Sequence, residues 1–322
     1  MRWMVYGAGA VGGVLGGLLH EAGRDVVLVA RGPHLDALRR DGLTLASPEG
    51  TRSIDVPAAG DAREALGADG PVTVLLAVKS HQTQAAVEDL TSVLPASTPV
   101  VSLQNGVANE PWLLRFFADV QGVCVMMPTG HLEPGVVEQH SAPVPGILDV
   151  GRYPGGTDAT SRAVAAAFRD AGFVSEPRPD VMAWKHRKLM MNLGNAVQAC
   201  CAPGPAADDL AGRAVAEGEA ALAAAGIPVV GVAQDRERRG DLLRVAPVAG
   251  RERAGGSSWQ SLRRGTGSIE TDYLNGEVVR LGRLHGVPTP ANALLQATAR
   301  RLAATGGVPG SVPAADLLAR LG

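Results

Sequence analysis

Aromatic residues make up only 3% of this 322-residue chain, and cysteine occurs three times, at Cys124, Cys200 and Cys201. Their spacing is not that of metal ligands, and an odd count suits a reducing compartment, so no metal is expected. Cys200 and Cys201 lie in an apolar stretch and are read as buried bystanders. No apolar run reaches the length that spans a bilayer, and Met1 opens straight into a strand-like segment, so neither a membrane span nor a leader is expected. Basic residues form no sustained run and the net charge is -2, which argues against nucleic acid or an anionic membrane as partner. The expected partner is a small molecule and the expected location is the cytoplasm. No internal repeat is apparent. The oligomeric state is not fixed by the sequence, with a homodimer the working expectation.

What the chain has instead is small aliphatic residues and glycine, with 46% hydrophobic residues and 41 Gly. That composition describes a globular α/β protein, and the length suggests two domains. Its first thirty-one residues are the most informative. Met1 to Tyr6 is a short, mostly apolar run, followed at once by Gly7-Ala8-Gly9-Ala10-Val11-Gly12 and then by a helical run through Leu18, Leu19 and Ala22. Strand, GxGxxG and helix in direct succession form the dinucleotide fingerprint in its required context. Gly7 permits the tight turn, Gly9 lets backbone approach a pyrophosphate, and Gly12 lets the helix pack on the strand. The phosphate then sits at the helix N-terminus, beside Ala10 and Val11.

An NAD site would place a carboxylate after the second strand, Asp25 to Val29, about twenty residues beyond the glycines. Here the strand runs into Ala30-Arg31. A guanidinium can fork onto a ribose 2′-phosphate, which predicts NADP(H) as cofactor; the plain alternative is a solvated loop arginine. Downstream, the apolar strand Val72 to Val78 delivers Lys79-Ser80-His81-Gln82, and the strand Pro99 to Leu103 delivers Gln104-Asn105-Gly106. Both clusters fall at carboxyl strand ends, where open α/β sheets bind ligands. His81 is read as a bystander.

Segments Gly135–Gln139 and Gly146–Gly151 read as an antiparallel pair closing the sheet, followed by a helix through Phe168 and a last strand near Phe173. Glu176-Pro177-Arg178-Pro179-Asp180 is the best linker, and the boundary is placed there, with a Rossmann-type doubly wound domain over residues 1–178 and an all-α domain over residues 179–322. In the second part, Trp184 to Gln198 reads as one helix carrying Lys188, Asn192 and Asn195 on a shared face. A lysine there can protonate a carbonyl oxygen while amides orient the substrate. Lys185 is its rival, and a basic solvated face is the plain alternative. Residues 250–267 form a polar, arginine-rich stretch that could be a lid. Ser268 is then read as capping a helix with Glu270 in its first turn, where a carboxylate is also favoured by the helix dipole alone.

Taken together these residues resemble the ketopantoate reductase (2-dehydropantoate 2-reductase) family over nearly the whole chain. The resemblance lies in Gly7-x-Gly9-x-x-Gly12, Ala30-Arg31, Lys79-x-x-Gln82, Asn105-Gly106, Lys188-Leu189-x-x-Asn192, and Ser258 followed by Glu270-x-Asp272-Tyr273-Leu274-Asn275-Gly276. It implies NADPH-dependent reduction of ketopantoate to pantoate, on the route to pantothenate and coenzyme A. It further implies Lys188 as general acid and Glu270 as the holder of the substrate's hydroxyl end, with Asn105, Asn192 and Ser258 binding substrate and Asn195 as the nearest candidate for a second substrate-binding asparagine. Arg31, Lys79, Gln82 and Asn105 would contact cofactor. The chain departs from the family pattern at Ala196, where a second asparagine is usual, in the longer Trp184-to-Lys188 spacing, and at Trp259-Gln260-Ser261-Leu262. These departures bear on which 2-oxo acid is the substrate. The two other readings are a reductase or dehydrogenase of another oxo or hydroxy acid, and a non-catalytic NADPH sensor.

Overall fold

The computed structural model describes residues 2–67, 70–250, 255–265 and 267–322. The chain divides into two compact units. One comprises Met1–Gln104, Asn109–Met182 and Ala233–Arg253, the other Asn105–Ala108, Ala183–Val232 and Ala254–Gly322. The polypeptide therefore passes between units more than once, where the sequence suggested a single boundary after residue 178.

The strands are β1 (Arg2–Tyr6), β2 (Val26–Val29), β3 (Leu43–Ser47), β4 (Gly50–Ile54), β5 (Ala58–Ala59), β6 (Val72–Leu76), β7 (Val100–Ser102), β8 (Val120–Met126), β9 (Thr129–Gly130), β10 (Val136–Gln139), β11 (Ser141–Pro143), β12 (Ile147–Arg152) and β13 (Leu243–Val245). The helices are α1 (Ala10–Glu21), α2 (Gly32–Asp41), α3 (Ala62–Leu66), α4 (Thr83–Thr91), α5 (Asn109–Leu113), α6 (Ala159–Asp170), α7 (Val181–Asn192), α8 (Gly194–Cys200), α9 (Pro205–Ala224), α10 (Val232–Arg239), α11 (Ser257–Arg264), α12 (Asn275–His285), α13 (Pro290–Thr305) and α14 (Ala314–Ala319).

In the first unit, seven strands form one sheet in the order β12-β8-β7-β6-β1-β2-β5. Its pairs are parallel except β12 with β8, which is antiparallel. An extended chain points successive side chains to opposite faces. β1 accordingly sends Trp3 and Val5 into the core shared with α1 and α6, and Met4 and Tyr6 into the core shared with α3 and α4. Helices on both faces make this the doubly wound architecture expected. A second sheet, β4-β3-β10-β9, covers the outer side of α1. That sandwich explains the glycines inside α1: a Cβ on Gly13 would come within 2.7 Å of Val137, and one on Gly17 within 2.9 Å of Leu43.

Three expectations are corrected here. Residues 136–139 and 147–152 are both strands, but they do not pair with each other: β10 runs parallel to β3 in the second sheet, while β12 closes the first sheet on β8. Alternating apolar residues specify a strand and its buried face, not its partner. The strand expected near Phe173 is reduced to isolated bridges, Val174 to Ile147 and Pro177 to Val150. The segment read as a linker is thus laid along β12, with Arg178 N–H on Val150 O at 2.7 Å, and its prolines interrupt the ladder because they carry no donor. Finally, a strand appears in the sequence half read as all-helical: β13 returns to the first unit and pairs with β11. Arg238 secures this return, donating through Nε and Nη2 to the buried Asp149 carboxylate at 2.8 and 2.6 Å.

The second unit is helical. α9 packs against α8, α12, α13 and α14, and presents Leu210, Ala214, Gly218, Ala221 and Leu222 as a buried stripe at helical spacing. The single helix expected from Trp184 to Gln198 is two, α7 and α8, parted at Leu193. Ser268 does not cap an α-helix: Glu270–Tyr273 is a 3-10 turn, and α12 starts only at Asn275 after Leu274 adopts φ -112 and ψ -87. Residues 251–254 and 266 of the stretch read as a lid lie outside the described residues; its described part contains α11.

Candidate active site

The first unit carries Gly7, Gly9, Ala10, Val11, Gly12, Arg31, Lys79 and Gln82, all at the carboxyl ends of its parallel strands. The turn after β1 gives each fingerprint glycine a separate reason. Gly7 has φ +106, in the region other residues avoid, and a Cβ there would also meet Val78 at 2.8 Å. A Cβ on Gly12 would run into the Gly7 carbonyl oxygen, so α1 could not sit against the turn. Gly9 is different. Its φ of -70 suits any residue, and a Cβ there would find no protein atom within 4 Å. Neither backbone conformation nor packing demands glycine at that point, whereas a pyrophosphate approaching the main chain does. Gly9 also caps α1 with no side-chain acceptor on the first turn, as an anion site at a helix N-terminus requires. These residues fit a dinucleotide.

His34, which sequence reasoning passed over, ties this turn to its surroundings. Its Nε2 lies 2.8 Å from Ala8 O, and its Nδ1 accepts from Gly135 N–H at 2.8 Å. Because Nδ1 is the acceptor, Nε2 carries the proton and the ring is neutral. Burial holds His34 below the usual histidine range.

Arg31 stands at the N-cap of α2, with no carboxylate after β2, and its Nη2 donates to the Tyr6 hydroxyl at 2.9 Å. Lys79 precedes a 3-10 turn, Ser80–Gln82, in which the Gln82 side-chain oxygen accepts from Lys79 N–H at 3.2 Å. Gln82 therefore has a local role in shaping this turn. Beneath it lies a buried relay that no spacing rule would have joined. Gln104 Nε2 donates to Val78 O and to Thr83 Oγ1, Thr83 Oγ1 donates to Asn109, and Asn109 Nδ2 donates to Ser80. It fixes the loops after β6 and β7 to each other.

The second unit carries Asn105, Lys185, Lys188, Asn192, Asn195, Ser258 and Glu270. Asn105 counts here although it follows β7, because the Asn105-Gly106 turn packs on Glu270–Tyr273: a Cβ on Gly106 would meet Tyr273 O at 2.9 Å. Asn192 Nδ2 donates to Asn105 Oδ1 at 3.3 Å, which joins α7 to this turn. With Oδ1 used as acceptor, the amide of Asn105 is directed to donate elsewhere. Lys185 is 3% exposed and Asn192 5%, whereas Lys188 is half-buried; at helical spacing all three share a face of α7. Asn195 lies across the Leu193 break on α8, where its Oδ1 would stand 3.1 Å from a Cβ on Gly256, next to α11. Ser258 on α11 is buried.

Glu270 is 5% exposed. Arg264, at the end of α11, was not singled out by the sequence; burial lowers its pKa and the Glu270 carboxylate opposes that shift, so the two charges act on each other. The turn that carries Glu270 is anchored from behind. Thr271 Oγ1 donates to Asn275 Oδ1, and Asn275 Nδ2 donates to Leu193 O and Asn292 Oδ1. Asn292 Nδ2 in turn donates to Glu217, whose carboxylate also takes the N–H groups of Ala291 and Asn292 at the start of α13. Asn275 thus satisfies the carbonyl exposed at the α7–α8 break and holds it near the turn bearing Glu270. One buried and one half-buried lysine, three amides, a hydroxyl and a carboxylate can bind and polarise a small polar carbonyl compound. Cys124, Cys200 and Cys201 are buried thiols outside any disulfide, and burial pushes the Cys200 thiol up to about 12.

Known proteins share both units. The family model described as ketopantoate reductase PanE/ApbA matches residues 3–155, and its C-terminal counterpart matches residues 180–303. A 2-dehydropantoate 2-reductase of Pyrococcus horikoshii is 28% identical over 95% of this chain and 99% of its own, and one of Halobacterium salinarum is 31% identical over 90% and 95%. The crystal structure of a PanE/ApbA family ketopantoate reductase from Ralstonia eutropha JMP134 superposes with a TM-score of 0.79 at 31% identity, covering 95% of this chain and 99% of that one. Matched by both family models and by a relative 31% identical over 90% of its length, the chain belongs to the ketopantoate reductase family, oxidoreductases that work with a nicotinamide cofactor on a small molecule.

Proposed function

We propose that this protein reduces 2-dehydropantoate to pantoate with NADPH. What carries the reading is family membership along most of the chain, supported by the motif residues that resemble the family pattern. Gly7, Gly9 and Gly12 with the first N–H groups of α1 would hold the pyrophosphate, and Arg31 the 2′-phosphate, aided by Lys79 and Gln82. When bound, NADPH supplies the hydride for the ketone carbon. The Lys188 ammonium donates a proton to the ketone oxygen, so that the oxygen leaves as a neutral hydroxyl rather than an alkoxide. Asn105, Asn192 and Ser258 orient the substrate by hydrogen bonds, Asn195 extends that set, and Glu270 accepts from the substrate hydroxyl.

Lysine usage supports an acid of this kind. The chain has three lysines, Lys79, Lys185 and Lys188, so 30 basic residues less 3 leaves 27 arginines. Arginine serves as the general surface cation here, and lysine occurs only among the candidate site residues. A guanidinium cannot give up its proton near neutral pH, whereas a desolvated ammonium can.

The test is steady-state NADPH oxidation with ketopantoate and a panel of other 2-oxo acids. Lys188→Ala should lower kcat roughly 10²–10⁴-fold with NADPH binding retained, the usual scale for a general acid. A second assignment follows from burial: Lys185 is the more enclosed of the two lysines. If Lys185→Ala gave the kcat loss and Lys188→Ala left turnover unchanged, the acid would be Lys185. Turnover confined to another oxo acid would overturn the substrate and leave the cofactor reading standing.

A further inference from the structure

Arg31 is held from behind by two residues that the reading of the cofactor site leaves out. Its Nη2 lies 2.9 Å from the Tyr6 hydroxyl, and the same hydroxyl lies 2.6 Å from Asp89 Oδ2. Asp89 Oδ2 also accepts from Ala62 N–H at 2.9 Å, at the first residue of α3. The direction of this relay is set by chemistry. A carboxylate only accepts and a guanidinium only donates, so Tyr6 must give its single proton to Asp89 and turn its lone pairs to Arg31. Burial, followed by the hydrogen bond to Asp89, pushes the Tyr6 phenol above its ordinary range, and the hydroxyl stays protonated and correctly polarised.

The placement is specific. Tyr6 is the last residue of β1, immediately before Gly7, on the face whose core is built from Val29, Val74, Ala86 and Leu90. An aliphatic side chain would fill that core equally well in a chain with only three tyrosines. Only a phenol reaches past the core to present an oxygen to a guanidinium at the end of β2. Arg31 is exposed, so without an acceptor its four rotatable bonds would spread the guanidinium over many positions. The bond to Tyr6 uses one edge of the planar fork and fixes the plane of the rest.

We propose that Tyr6 and Asp89 are specificity-determining positioning residues: by fixing the Arg31 guanidinium they favour a 2′-phosphorylated dinucleotide over its unphosphorylated counterpart. This rests on the reading of Arg31 as the 2′-phosphate ligand, and the test separates the two. Dissociation constants for NADPH and NADH are measured by titrating the full-length protein, for wild type, Tyr6→Phe, Asp89→Asn, Arg31→Ala and the Tyr6→Phe/Arg31→Ala double variant. Tyr6→Phe should raise the NADPH Kd roughly 3- to 10-fold, the scale of one hydrogen bond to a charged group, and leave the NADH Kd within about twofold. Asp89→Asn, which keeps an acceptor for Tyr6 but loses the charge, should shift NADPH in the same direction by less. In the Arg31→Ala background, Tyr6→Phe should have no further effect, because it acts only through the arginine.

If Arg31→Ala weakened NADPH selectively while Tyr6→Phe left both constants unchanged, the relay would be overturned and Arg31 would keep its role. Equal weakening of NADPH and NADH by Tyr6→Phe, or an undiminished effect in the double variant, would make the tyrosine a packing residue and also overturn the proposal. Should Arg31→Ala itself fail to separate the two cofactors, it is the Arg31 reading that falls.

Discussion

Replacing Asn275 with alanine should cost the second unit about 3 kcal/mol. Asn275, Thr271 and Asn292 are each 0% exposed. The substitution removes three hydrogen bonds, those to Leu193 O at 3.3 Å, to Asn292 Oδ1 at 3.0 Å and from Thr271 Oγ1 at 3.3 Å. It leaves all three partners buried where water cannot replace the lost contact, and about 1 kcal/mol for each gives the total. Asn275→Asp sharpens the test. It keeps the acceptor that Thr271 uses but sets a carboxylate against two oxygens, Leu193 O and Asn292 Oδ1, and should be at least as damaging as alanine. Chemical denaturation of wild type and both variants measures the loss, and the kcat/KM of each reads its effect on the turn that carries Glu270. A loss below about 1 kcal/mol for Asn275→Ala, or an aspartate variant as stable as wild type, would show that the network does not hold the α7–α8 break to that turn.

Gly9→Ala should leave thermal stability almost unchanged, since its Cβ meets no protein atom, yet weaken NADPH in a binding titration; Gly12→Ala should lower stability as well, because its Cβ collides with Gly7 O. His34 has its folded pKa depressed by burial, so its stabilising contribution is present above the unfolded value of about 6.5 and lost as pH falls below it through the depressed folded value. His34→Gln should therefore flatten that acid-side part of a melting-temperature profile, and an unchanged slope would refute the assignment. Arg238→Met should destabilise the first unit by about 3 kcal/mol in the same denaturation assay, because it strips a bidentate partner from a carboxylate that is 2% exposed, leaving Arg178 and the Glu176 N–H to hold it.

The sequence alone determined the parts of this protein that follow from local rules. A tight turn at Gly7 and a close strand-to-helix contact at Gly12 demand glycine within six residues, so the strand–turn–helix unit around Gly7 to Gly12 could be read directly. The place of Arg31 just past β2 was readable because that strand is short and its end falls at a countable distance. The shared face of Lys188 and Asn192 was readable because a helix repeats every 3.6 residues, and all three lysines fall among the candidate site residues. Tertiary structure decided whatever depends on pairing between distant segments. An alternating strand buries the same face against any partner, so β10 and β12 could not be assigned to separate sheets, and three residues of β13 are too few to show a period. The helix break at Leu193 is stabilised by Asn275, 82 residues away, and propensity could not see it. Tyr6 and Asp89 meet across 83 residues through a single hydroxyl. One proton shared between distant side chains leaves no periodicity in a sequence, and only the folded chain brings them within 2.6 Å.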